Sequence, residues 1–311
     1  MLMRNMLVLA IAQAGFGVPG APAAGVNAIQ CRSAMPAPIK LEFVQRTLLK
    51  GYKGNFGKLG AGEHRMIEFE VEFGGSGAAG TAPRYAPLLL GCGMSETLNA
   101  GVSAVYNLVN SGEPYYTLYC FLDGVRFVLE DAKGDVSAEM NAKGIPVLKF
   151  RYVGKYVAMT DAVLPAGAVF TNTAKPQTVG KTNTPTFSLH GVDVKMQSFS
   201  WALNNQLEWR DLVNFQGVVS TDRAPTCSVG FELGTVAEKN WPELARLGTT
   251  GALQMVHGVG AGNIVQVDMP ALRMAAEPTL SNDAGIAMLQ TQWDVNPNSD
   301  AGSDELVLTI K

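Results

Sequence analysis

The octapeptide MIEFEVEF at 66–73 alternates strictly, with Ile67, Phe69, Val71 and Phe73 on one side and Glu68, Glu70 and Glu72 on the other. A two-residue period sends successive side chains to opposite faces of a strand, so the run fits a sheet with one apolar and one wet face. A helix would scatter the same residues around its circumference. The runs PYYTLYCFL and VRFVLED flank Asp123-Gly124 and read as a hairpin. IPVLKFRYVGKYV (145–157) reads as a further strand. Helical candidates are confined to Pro83–Leu90 and Trp241–Leu247, each with a proline near its start. The expected class is mainly β with short helices, of sandwich or barrel type.

Gly75-x-Gly77-x-x-Gly80 follows the alternating strand and has the spacing of a dinucleotide-binding fingerprint. Three features oppose that reading. The first strand of such a fold is buried on both faces, whereas Glu68, Glu70 and Glu72 leave one face wet. Pro83 and Pro87 delay any helix past the third glycine, and no second apolar strand ending in an acid follows. The glycines are expected to form a flexible connection from strand to helix. Nucleophile elbows, His-Glu-x-x-His, Walker loops and calcium-loop spacing are absent. Cys31, Cys92, Cys120 and Cys227 are widely spaced and read as buried thiols; His64, His190 and His257 stand alone. Asp131, Asp135 and Glu139 read as a solvated strand face, with DAKGD (131–135) as a turn. No catalytic, cofactor-binding or metal-binding residue is expected.

Charged residues make up only 16% of the 311, against about 25% in ordinary soluble domains. So few charges predict that much of the surface is covered in an assembly. A net charge of −3 without a Lys/Arg cluster argues against gripping nucleic acid. The opening MLMRNMLVLAIAQAGFGVPGAPAAG reads either as a secretory signal or as an extended arm. No later run has the roughly 18 apolar residues of a membrane span.

The sequence also repeats itself. LEF (41–43) is echoed by LEW (207–209), and EVEF (70–73) by GFEL (230–233), an offset of 160. APLLLGCG (86–93) is matched by WPELARLG (241–248), and GIPVLKFRY (144–152) by GIAMLQTQW (285–293). The order of elements is kept, which predicts a duplicated β domain. Glu232 then takes the place of Glu72. The stripe Glu68, Glu70, Glu72 reads either as an ordinary solvated face or as the wall of an aqueous bore that repels a passing polyanion.

The blocks VNAIQCRSAM, EFEVEFGGSGAAGTAP, PLLLGCGMSET, DGVRFVLEDAKGDVSAEMNAKGIPVLKFRYVG, NTPTFSLHG and DELVLTIK resemble the major tail (tail tube) proteins of long, non-contractile-tailed bacteriophages. The resemblance covers the chain from about residue 26 onward. It implies two tandem tail-tube-type β-sandwich domains, 27–159 and 186–311, behind an N-terminal arm (1–26) and joined by a linker (160–185). It implies a structural virion protein, not an enzyme, assembled in the host cytoplasm without cofactor or membrane. Its rings would stack into a hollow tube through which DNA is ejected. The chief partner would be the chain itself, as a pseudo-sixfold trimer if each chain carries two tube domains. Tape-measure and tail terminator or tip proteins would be further partners, and phage DNA would pass without specific binding. By the same implication Glu68, Glu70, Glu72 and Glu232 face the bore. The loops 51–65 and 210–224, with Lys53, Asn55, Lys58, Glu63, Asp211, Asn214, Gln216 and Asp222, reach the next ring. The arm and linker wrap neighbours. A secreted bacterial β-sandwich adhesin or pilus-like subunit, and more remotely a nucleotide-binding enzyme at Gly75, Gly77 and Gly80, are the alternatives.

Overall fold

Alternating runs become strands throughout the computed structural model, which describes residues 2–311. The first half contains β1 (Met6–Ala12), α1 (Ala24–Asn27), β2 (Ala28–Ile29), β3 (Cys31–Pro36), β4 (Lys40–Gln45) and β5 (Lys58–Glu72). It continues with α2 (Ala86–Gly91), β6 (Met94–Asn99), β7 (Ser103–Leu108), β8 (Tyr116–Leu122), β9 (Val125–Asn141) and β10 (Val147–Asp161). The second half begins with β11 (Thr186–Leu189), β12 (Val192–Asp193), β13 (Met196–Ala202), β14 (Asn205–Leu212), β15 (Phe215–Arg223) and β16 (Thr226–Glu232). After α3 (Trp241–Leu247) come β17 (Gly251–His257), β18 (Val265–Met274), β19 (Thr279–Asp283), β20 (Ile286–Val295) and β21 (Val307–Ile310). The chain is mainly β with short helices, as its periodicity predicts. Both helices foreseen from proline placement form, and Asp123-Gly124 makes the two-residue hairpin turn with φ of 39° and 103°.

One antiparallel sheet runs β3–β5–β10–β9–β13–β16–β20–β19 and so crosses both halves. Its apolar alternates, among them Phe69, Phe150, Val136, Ala138, Phe199, Trp201, Val229 and Phe231, are buried on one side. Behind them lies a second layer. In the first half β1 and β8 pair, and β8 joins the first part of β9. In the second half the order is β11–β17–β18–β21, extended by β7–β6 of the first half. The two layers enclose a hydrophobic core that is continuous from Val8 to Ile310.

The halves pair their strands in the same order, β3–β5–β10–β9–β8–β1 and β13–β16–β20–β18–β17–β11. Register agrees as well. Val147 opposes Glu72 and Met288 opposes Glu232, positions 141 and 160 residues apart. The β3–β5 and β13–β16 ladders both carry a bulge at their start, between Cys31 and Ser33 and between Met196 and Ser198.

The structure departs from expectation in four places. Met6–Ala12, expected within an N-terminal arm, is a strand paired with β8 over seven residues, with Leu7, Val8, Leu9 and Ala10 buried. Its apolar run is long enough to fill a sheet position, and there it gains burial that an exposed arm lacks. DAKGD is not a turn but the bend of the continuous strand β9, where a bulge lies between Val153 and Lys155 and Asp131 adopts φ 48°. Asp131 is buried and accepts a hydrogen bond from the Gly17 amide (2.6 Å), so it does not share a wet face with Asp135 and Glu139. Of the expected linker 160–185, Thr160 and Asp161 end β10, and residues 162–185 lie along their own chain. Ala162, Leu164 and Ala168 cover Leu7, Leu9 and Phe121, and Val179 exchanges backbone bonds with Lys143 and Gly144.

His190 packs 4.8 Å from Trp293, and the Lys239 ammonium sits on its carbonyl (3.0 Å). Burial first, and Lys239 second, lower its pKa from 6.5 to about 4. The folded state therefore binds fewer protons than the unfolded chain between those values, so His190 costs stability as pH falls through that window. His190→Asn tolerates the positive φ of 50° at this site. Thermal unfolding from pH 7 to pH 4.5 should show a smaller loss of Tm in the variant than in the parent. An unchanged slope would assign the acid sensitivity to other groups.

Candidate functional site

Strand alternation puts the polar partners of the core residues on the opposite face of the eight-strand sheet. Glu68, Glu70 and Glu72 lie there on β5, and Glu232 lies there on β16. The sequence reading singled out these four and missed their neighbours. Arg151 is directly opposite Glu68 and Lys149 opposite Glu70. Lys149 also pairs with Glu139 (2.6 Å), which it and Asn141 hold below the usual carboxylate range. Glu232 pairs with Lys195 (2.6 Å). Asp135 shares a shallow groove with Glu68, Glu70, Lys149 and Arg151. Burial raises its pKa, although it accepts the Asn205 amide at 3.0 Å. At the junction of the halves this face turns to neutral hydroxyls: Ser137, Ser198, Ser200, Thr226 and Ser228. The signal for Lys149 and Arg151 was their even spacing in the strand 145–157, whereas Asp135 and Glu139 already read as a solvated face.

Two hairpins project from this sheet. Four antiparallel steps separate β5 from β16, so the two strands run in the same direction and both hairpins leave by the same end. In the first, β4 pairs with β5, and Lys53 and Asn55 lie in the connecting segment 46–57. Lys58 opens β5, while Glu63 is at the hairpin's base. Arg65 anchors that base by donating to the carbonyls of Pro38, Val128 and Val157. The second, expected as a loop over 210–224, is a ribbon of β14 and β15. Trp209, Val218 and their cross-strand neighbours give the segment β-forming pairs, and Asn214 takes φ 71° in the two-residue tip. Asp211 and Gln216 oppose each other next to that tip, whereas Asp222 sits at the base. The second hairpin rests on the first half: Asn205 Nδ2 donates to the carbonyls of Cys92 (2.7 Å) and Gly134 (3.0 Å), and Phe215 stacks on Phe16. Both tips carry exposed apolar side chains, Leu49 and Tyr52 on one and Leu212 and Val213 on the other.

The glycine segment is not a flexible connection. Gly77 N–H donates to the Gly262 carbonyl (2.9 Å) and Gly75 N–H to Asn263 Oδ1 (3.1 Å). Two amides that a phosphate would need are thus taken up by the second half of the chain. Gly75 and Gly262 are glycine because the two backbones meet here; Gly77 adopts φ 90°.

The sequence model of the family described as phage tail tube protein matches residues 8–295. No curated protein matches. Within the matched range the Gly75 contact has a direct test. A Cβ at Gly75 would stand 2.0 Å from the Gly262 carbonyl oxygen, with backbone on both sides and no side chain to swing away. Gly75→Ala should cost roughly 1–3 kcal/mol or more of stability, as overpacking does, seen as a lower denaturant midpoint. Gly180, which has open space around it and no positive φ, gives the comparison at Gly180→Ala.

Proposed function

The chain belongs to the phage tail tube protein family, and we propose that it assembles into rings that stack as the wall of a hollow tail through which DNA leaves. It is a structural component of the virion tail, and the family points to a non-enzymatic protein. The observation that carries the ring reading is the eight-strand sheet itself. One side is sealed by the core, the other is polar and rich in carboxylates, and both lateral edges are strands with a single partner among the described residues. A sheet of that kind closes by joining its edges to copies of itself, which removes the hazard of open strands.

Each chain then contributes two tube units, 27–159 and 186–311, and the shared pairing order and ladder register support that duplication. Six units close the ring in this reading, so three chains suffice. Glu68, Glu70, Glu72, Glu139 and Glu232 line the bore, where negative charge keeps DNA from adhering while it moves. The two hairpins, leaving by the same end with apolar tips, reach the ring above. Tape-measure and terminator or tip proteins bind the tube's interior and its ends.

Negative-stain microscopy of the purified chain should show tubes, and native mass of dissociated rings should give three chains. Six chains per ring would overturn the two-unit account. Replacing Glu68, Glu70 and Glu72 together with Lys should leave tubes intact and reduce DNA ejection from assembled particles. Loss of tubes in that variant would put the residues at an interface instead of in the bore.

A further inference from the structure

The joint between the two halves of one chain is formed by β13 adding to the outer edge of β9. Ser198 opposes Asn141, Phe199 opposes Met140, Ser200 opposes Glu139 and Trp201 opposes Ala138. Each of these strands has a counterpart at an outer edge of the molecule. β3 stands beside β5 as β13 stands beside β16: Ser33 faces Glu70 and Ser198 faces Gly230. β19 stands beside β20 as β9 stands beside β10: Ser281 faces Met288 and Glu139 faces Val147. Yet β13 and β9 are paired on both sides here, whereas β3 pairs only with β5 and β19 only with β20 among the described residues.

We propose that this internal joint is the template for the joint between copies, with β19 of one copy adding antiparallel to β3 of the next. Substituting the counterparts into the internal ladder sets the register: Asp283 opposite Ser33, Asn282 opposite Ala34, Ser281 opposite Met35 and Leu280 opposite Pro36. The proposal rests on the ring assembly set out above and names its edges.

Backbone direction agrees independently. The Ala37 amide donates to the Met66 carbonyl (2.8 Å), so Ala37 faces β5 and the polar groups of Pro36 and Ala34 face outward. The β19–β20 hairpin closes through two residues, Ala284 and Gly285, with Asp283 opposite Ile286. In such a turn the closing pair exchanges its bonds, leaving Asn282 and Leu280 to face outward. The outward residues are the ones the template brings together. Ala34 and Asn282 exchange two bonds, and the Leu280 amide donates to the Pro36 carbonyl, proline having no N–H to return. A slip of one residue would set outward groups against inward ones.

Burial agrees too. On the internal joint Ala138 is sealed, while its counterpart on the open edge, Leu280, is 69% exposed. A second copy is the occupant that supplies both missing strands at once.

Cysteine cross-linking of the full chain tests the register. Met35 and Ser281 form a non-hydrogen-bonded pair, whose close Cα spacing suits a disulfide. In a Cys31→Ser background, Met35→Cys with Ser281→Cys should lose its monomer band on oxidation of the assembled protein, yielding covalent dimers and trimers on a non-reducing gel. Either single variant should stay monomeric. Glu139→Cys with Ser200→Cys, the internal counterpart, should close within one chain and report that the conditions oxidise such a pair. Assembled protein in which 139/200 closes and 35/281 does not, or in which Met35→Cys joins Leu280→Cys more readily, overturns the register while leaving the ring intact. A chain that forms no assembly by light scattering before oxidation overturns the ring reading and this joint with it.

Discussion

The β9–β13 ladder is the interaction on which the rest of the molecule depends. It joins two strand sets that could each have ended in an exposed edge, and it makes their cores one. Because β9 is 17 residues long, it serves two layers: its first part pairs with β8 in the rear sheet and its last part carries β13 in the front one. The bend at Asp131–Gly134 lets one strand do both. Gly154 on the facing strand has no Cβ because one would stand 2.7 Å from Ala132 Cβ.

Much of this was legible in the sequence. The alternation of MIEFEVEF located the front sheet and both of its faces, and Asp-Gly and the prolines marked one hairpin and two helices. Those signals are local: a two-residue period or a turn residue acts on its own neighbours. The failures have a common physical origin in distance. Met6–Ala12 is apolar whether it lies in an arm or in a sheet, and only β8, more than a hundred residues later, decides. Asp131 and Glu139 share a strand and a parity, but the bulge between them cancels the parity. The second hairpin contains glycine, asparagine and aspartate, as loops do, and its cross-strand pairs outweigh that composition.

The glycine segment shows the same limit at the candidate site. Spacing alone offered a phosphate cradle or a flexible tether, both properties of the segment itself. What selects glycine at 75 is a carbonyl at 262, on a turn whose own glycine admits the approach. The carboxylate face was read more fully, since Glu68, Glu70 and Glu72 announce themselves by period. Lys149 and Arg151 lie on another strand, and only register places them among those acids.

One pairing alters what the word domain means for this chain. β7 of the first half hydrogen-bonds to β21 near the end of the second, Asn107 opposite Val307, with two hundred residues between them. A cut through residues 162–185 would not release two modules. It would leave the β6–β7 hairpin without its outer partner and the rear sheet of the second half without its flank. The halves share an order of strand pairing but not their independence: closure of so long a loop rewards only a chain that completes both. The β7–β21 ladder thus ties the rear layer across both halves, and that layer has its full set of strands only in a molecule that contains both.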